Sequence, residues 1–306
     1  MSQSASTVNQ TLTNYARGIA QDASKCLADF IAPRTVVAQS SGLFKSFSDK
    51  NAFQKYKTDR AIGGPATRIE FEADDKRYAC TAHALEIAID DAEQDAAGWD
   101  DPLNLRQAKT QTLVSAALTS HEAKVFATLA KNVGAVSGMG DWSDNAVDPV
   151  LEIDELIEQI AAASGMFPNR MVFGLGAWAK FRANEKVIAR QPGAALVGLN
   201  LKDACGLFLN PAIEARVGVI SADANKHGKP SANSTIAGDE VYLFHASEMP
   251  TPFDPSFAKT FTTGRGCINA VKQYRDETIS SDVLKVEWSE DIQVVSPLLI
   301  KRVSVS

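Results

Sequence analysis

The sequence predicts a mixed α+β fold with enough chain for one large or two moderate domains. Three observations predict it: a helical apolar period from Leu103 to Leu129, strand-like alternation at residues 67–72 and 282–288, and the absence of repeated βα units between them. With 306 residues, 45% of them hydrophobic, the chain can bury real cores, which excludes disorder as a whole. No run of 18 apolar residues occurs, and the opening MSQSASTVNQTLTNYARG offers no apolar stretch for a signal peptide. The expectation is a soluble chain with no membrane partner.

Residues 1–35 mix Ser, Thr, Asn and Gln with one short apolar cluster at Cys26, Leu27, Phe30 and Ile31. This is the composition of an arm with a helical turn or two and no core of its own. Residues 36–89 read as an extended loop ending in a hairpin. A basic, weakly periodic stretch is followed by Ile69 and Phe71 alternating with Arg68, Glu70 and Glu72, a turn at 73–76, and a second strand at 77–89. The sign of the charge then reverses, because residues 90–101 carry Asp90, Asp91, Glu93, Asp95, Asp100 and Asp101 and no base.

Asp101 can cap free N–H groups and Pro102 suits a first helical turn, so a long helix is predicted over about 102–131. Its apolar set is Leu105, Ala108, Leu113, Ala116, Ala117, Val125, Phe126 and Leu129. At 1.5 Å per residue it would reach about 40 Å, so it is a beam that needs a sheet to cover its apolar face. The predicted cover is the strand 282–288, through Leu284, Val286 and Trp288. Gly134, Gly138 and Gly140 mark a loop, Asp148-Pro149 opens a second amphipathic helix, and Gly165 ends it. Residues 168–189 read as strand, turn and helix, 203–221 as short helix and strand, 222–239 as a long, exposed and tolerant loop, and 240–246 as strand.

Chemistry is mostly absent. The segment Gly174-Leu175-Gly176-Ala177-Trp178-Ala179 has the GxGxxA pattern after a strand, yet the acidic residue expected about 20 positions on is missing from RQPGAALVGLN, so the plain reading is a tight turn. His83, His121, His227 and His245 stand beside no nucleophile, and Asp74-Asp75, Asp90-Asp91 and Asp100-Asp101 are adjacent in turns rather than opposed across a cleft. Cys26, Cys80, Cys205 and Cys267 form no CxxC pair and read as free, buried thiols. No catalytic, cofactor or metal site is expected. A net charge of −6 also argues against a dedicated nucleic-acid-binding protein.

Three stretches carry a family resemblance: GLFKSFSDKNAFQKYKTDRAIGGPATRIEFEADDKRYACTAHALEIAI before the acidic lead-in, the long helix with Glu122 ahead of VFATL, and IDELIEQIAAASGMFPNRMVFGLGAWAKFRANEKV. With the alternating C-terminal strand, they resemble the major capsid proteins of tailed bacteriophages, the Hong Kong phage type of fold shared with encapsulins, over roughly residues 32 to 304. The resemblance implies an N-terminal arm (1–35), an extended loop and hairpin (36–89), a peripheral domain with a long spine helix and β-strands (90–133 and 276–306), and an axial domain (134–275).

It further implies pentamers and hexamers closing into an icosahedral virion shell around DNA contacted non-specifically, assembled in the host bacterial cytoplasm with a portal. No helical extension of about 100 residues precedes the arm, so scaffolding is expected to be a separate protein, or unnecessary. The alternatives are an encapsulin-like compartment and, from another class, a nucleotide-binding enzyme using the GLGAWA turn. Some relatives crosslink a loop lysine to a neighbour's asparagine, but no motif here identifies such a pair.

Within this resemblance the extended loop lies across an adjacent subunit. The expected inter-subunit contacts are Lys45, Lys50, Lys55, Lys57 and Arg60 against Asp90, Asp91 and Glu93, with apolar burial from Leu43, Phe44, Phe47 and Phe53. Residues 40–75 would then project from the body with few contacts at home.

Overall fold

The computed structural model describes residues 7–8, 26–47, 58–60, 63–64, 66, 73–96, 102–191, 198–223, 225, 232–252, 254–264 and 268–305. Its strands are β1 (Thr7–Val8), β2 (Arg34–Val36), β3 (Ser41–Phe47), β4 (Ala73–Ala79), β5 (Thr81–Asp90), β6 (Arg170–Gly174), β7 (Glu214–Gly218), β8 (Ser221–Asp223), β9 (Asn233–Thr235), β10 (Glu240–Phe244), β11 (Ala258–Thr262), β12 (Val271–Asp276), β13 (Ser281–Val294) and β14 (Ile300–Ser304). Its helices are α1 (Ala28–Ile31), α2 (Asp91–Ala96), α3 (Pro102–Asn132), α4 (Pro149–Ser164), α5 (Leu175–Ala183), α6 (Glu185–Arg190) and α7 (Leu201–Cys205).

A six-stranded sheet runs in the order β1-β12-β13-β11-β2, with β5 also paired to β13. Strand β13 is its axis: residues 281–290 pair antiparallel with β5, and 291–294 pair with β11. Leu284, Val286, Trp288, Glu290 and Ile292 are buried on one face, as a period of two requires. Helix α3, 31 residues and so about 45 Å long, lies against that face. Leu113, Val114 and Ala117 share a core with Leu284, Val286 and Trp288, each Leu or Val side chain contributing roughly 1.5–3 kcal/mol on full burial. The predicted helix and its predicted cover are both present.

The second sheet has the order β14-β10-β6-β7, and its two faces serve two cores. Met171, Phe173, Val241, Leu243 and Val303 face α4, α5 and α6. Val172, Tyr242, Phe244 and Ile300 face the far end of α3, at Val125, Phe126 and Leu129. Helix α3 thus joins both sheets. Helix α4 begins and ends as expected: the Asp148 side chain accepts from the Val150 and Leu151 N–H groups, and Gly165 closes it at φ 68°.

Several segments depart from the sequence reading. Residues 73–76 are not a turn but the start of β4, whose partner is β3 rather than the stretch 67–72, which lies outside the described residues. Strand β5 leaves that ribbon and joins the large sheet, because Ile87 and Ile89 find apolar cover only against β13 and α3. The last strand, β14, pairs with β10 in the second sheet, and touches the end of α3 through Ile300 and Arg302. Within 222–239, β8 and β9 form a short hairpin, while 226–231 lie outside the described residues. The arm's apolar cluster has no core of its own but fills another: Leu27, Ala28, Phe30 and Ile31 are buried against α3 and the second sheet.

Candidate assembly surface

A two-stranded ribbon is marginal by itself in water, so the root of β3–β4 decides whether it stands. Alternation along β3 sends neighbouring side chains to opposite faces. Phe44 points inward, 2% exposed, with its ring centroid 5.1 Å from that of Phe261; Tyr78 from β4 stacks on the same ring at 4.8 Å. The Ala79 N–H donates to the Asp291 carboxylate at 2.8 Å, and the Cys80 N–H to the Ser40 carbonyl at 2.7 Å. Leu43 points outward and is 62% exposed, as is Val36 on the edge strand β2, at 69%.

Two expectations change here. Phe44 is buried in the chain's own core with Tyr78, Phe261 and Val295, and the described root of the ribbon is seated on the body, while most of residues 48–72 lies outside the described residues. Period-two geometry allows only one face of β3 to meet a neighbour, and Leu43 lies on it.

The remaining predicted contact residues divide by place. Lys50, Lys55, Lys57 and Phe53 lie outside the described residues, as do the side chains of Lys45 and Phe47, whose backbones pair with Asp75 and Ala73. Arg60 is exposed. Asp90 is exposed and accepts the Ala92 N–H at 2.8 Å. Asp91 is gripped by both guanidinium nitrogens of Arg275 at 2.6 Å, which holds its carboxyl below the usual range. Glu93 lies 2.8 Å from the Lys109 ammonium. The acidic run therefore has bases after all, supplied by β12 and α3. A charge count confined to neighbours in sequence misses them.

The GLGAWA turn is filled by the protein itself. A side chain at Gly174 would be driven into the Gly238 carbonyl, and one at Gly176 into the Asp239 carboxylate, which sits at the first turn of α5 with Lys180 3.4 Å away. The glycines admit a close approach of backbone, and Asp239 puts a negative charge where a phosphate would have to go. Among the described residues no three His, Cys, Asp or Glu side chains could hold a metal ion. The Nδ1 of His245 lies 2.9 Å from the Phe167 carbonyl, His83 stacks on Trp288 at 5.5 Å, and His227 lies outside the described residues. Cys26, Cys80 and Cys205 are free thiols, but only Cys205 is fully buried; Cys267 lies outside the described residues.

Sequence reasoning missed His121, which is 1% exposed on α3. Its signal was a gap: Leu113, Ala117, Val125 and Leu129 follow a four-residue step from which one rung is missing, and His121 is that rung.

No family model matches the sequence, and no curated protein matches it. Solved structures do. A phage-related protein from Bordetella bronchiseptica has a TM-score of 0.75 at 20% identity, covering 98% of this chain and 98% of that chain. The putative capsid protein of a prophage of Escherichia coli CFT073 has a TM-score of 0.52 at 13% identity, covering 99% and 100%. The encapsulin of a complex from Synechococcus elongatus has a TM-score of 0.53 at 10% identity, covering 91% and 86%. At such identities the likeness is one of fold, and the chain has the α+β fold of tailed-phage major capsid proteins, which encapsulins share.

Proposed function

We propose that the protein is a structural shell subunit that assembles into pentamers and hexamers and encloses viral DNA in an icosahedral head. The observation that carries this reading is the end-to-end match of fold to a phage-related protein, with 98% of both chains covered. A ribbon anchored at its root and presenting Leu43 outward is the kind of element that a neighbouring copy can cover. In this reading 90–133 and 276–299 form the peripheral domain, while 134–275, joined by β14, form the axial one. Portal and scaffolding partners follow from the same reading, as does assembly in the host cytoplasm. Negative-stain microscopy of the expressed chain should show closed shells of uniform diameter, and monodisperse monomers or dimers under all assembly conditions would sink the proposal. An encapsulin-like compartment is the second reading, favoured by the match to the Synechococcus protein; purified shells would then hold a cargo protein instead of DNA.

The basic stretch before Arg60 is proposed to meet the acidic lead-in of the next subunit. With Asp91 and Glu93 paired at home, Asp90 and Asp95 are the acids left for it among the described residues. Each exposed pair contributes about 0.2–1 kcal/mol and weakens with salt. Changing Lys50, Lys55 and Lys57 together to Glu should lower shell yield several-fold at low salt and reduce the salt sensitivity of assembly. Unchanged yield and salt response would mean that these lysines face solvent.

A further inference from the structure

Where the apolar row of α3 meets the buried face of β13, both periods place an ionisable side chain. His121 continues the row after Leu113 and Ala117, and Glu290 continues the strand row after Trp288. They meet: the imidazole Nδ1 lies 2.6 Å from a Glu290 carboxylate oxygen, and Nε2 lies 3.6 Å from the carboxylate of Asp29 in α1. Both contacts are close as ion pairs, although neither ring nitrogen has hydrogen-bond alignment. Next to His121, the Glu122 carboxylate accepts the Leu27 N–H at 2.8 Å. The segment from Cys26 to Val36 is therefore fastened to the long helix at two adjacent side chains.

We propose that His121, held between Asp29 and Glu290, is a protonation-controlled clasp that keeps residues 26–36 docked on the long helix and loosens them on the alkaline side of neutrality. The groups facing His121 are Asp29 and Arg34 from the N-terminal segment, Glu122 and Lys124 from its own helix, His83 from β5, and Glu290 from β13. Arg34 pairs with Asp29 at 2.7 Å and Lys124 with Glu290 at 3.1 Å, so both carboxylates stay ionised when the ring does not. His121 touches both the N-terminal segment, at Asp29, and β13, at Glu290. Although its ring is buried, the Asp29 carboxylate beside it is 57% exposed, and Asp29 lines an open cavity of about 320 Å³, which gives protons a route.

The sign of the pH response follows from the partners. Burial disfavours the charged ring, but Asp29 and Glu290 outweigh it and raise the His121 pKa above its ordinary value. A raised histidine stabilises docking fully below its unfolded pKa of about 6.5 and loses that contribution as the pH climbs through the folded value. Burial opposes ionisation of Glu290 as well, yet His121 and Lys124 hold it down to about 2, so its contribution is lost only in strong acid. Burial raises Glu122, and its ionisation as the pH rises above about 4.5 works in the same direction as deprotonation of His121.

Amide hydrogen exchange on the full chain, corrected for intrinsic rates, tests the clasp between pH 6 and 9. Protection of the Ile31 and Ala32 amides, which donate to the Leu27 and Ala28 carbonyls, should fall about tenfold per pKa unit separating folded and unfolded His121. Protection in α3 from Val125 to Leu129 should hold. His121→Gln should show the loosened level at every pH, and Glu290→Gln should move the transition to lower pH. Equal loss of protection in both segments, no change across the range, or an unaltered pH profile in His121→Gln would each overturn the proposal.

Discussion

Replacing Lys259 with alanine is expected to lower stability by about 3–5 kcal/mol, the range for breaking one partner out of a buried ion pair. Lys259 lies in β11 with its side chain fully buried, and its ammonium makes two hydrogen bonds and one ion pair. It donates to the Thr251 and Asp254 carbonyls, both at 2.8 Å, and lies 2.9 Å from the Asp254 carboxylate. That carboxylate in turn accepts the Thr251 N–H at 2.7 Å and the Ser256 N–H at 3.1 Å. The connection between β10 and β11 is thus wound around one cation. Alanine strands a carboxylate that is 9% exposed and withdraws a donor from two carbonyls. Urea unfolding followed by tryptophan fluorescence would report the loss. The double change Lys259→Met with Asp254→Asn should recover more than half of it, because Asn can still accept the Thr251 N–H while no buried charge remains. A cost below about 1 kcal/mol for the single change would show that the connection does not depend on the ammonium.

Gly174→Ala carries the second largest expected cost, about 3 kcal/mol, at the upper end of overpacking penalties. The obstacle is the Gly238 carbonyl, a backbone group held by the turn into β10, which cannot swing aside. Gly176→Ala meets a side chain, the Asp239 carboxylate, which can rotate away at the expense of its contact with Lys180; about 1 kcal/mol is expected. Thermal unfolding of the two variants should rank them in this order. If both fold like the parent and lose affinity for a nucleotide instead, the turn is a phosphate site and the close-packing account is wrong.

The features legible in the sequence are those set by local rules. The long helix has a 3.6-residue period and a proline at its first turn; the second helix has Asp148 before Pro149 and Gly165 behind it; the late strand alternates from Leu284 to Trp288. All three appear where expected. What was not legible depends on partners distant in the chain. Asp74, Asp75 and Lys76 look like a turn until β3 supplies a strand to pair with. Phe44 looks available to a neighbour until Phe261 arrives beneath it. Asp91 looks uncompensated until Arg275 reaches it from β12. His121 broke an apolar row, and only Glu290 and Asp29, from opposite ends of the chain, explain why the break is tolerated.

The position of β13 also fixes a timetable. Its partners β5 and β12 flank it, but the chain must be made as far as Val294 before the strand can bridge β5 to β11. The seat of the ribbon requires one residue more, since Val295 lies in the cluster with Phe44, Tyr78 and Phe261. During synthesis β3 and β4 therefore emerge well before Phe261, Asp291 and Val295, the partners that seat the ribbon. A chain that stops before Val295 lacks part of that seat, so its β3–β4 ribbon is not held as it is in the full fold. Late closure of long-range pairs, which ordinarily slows folding, here also delays the seating of the ribbon.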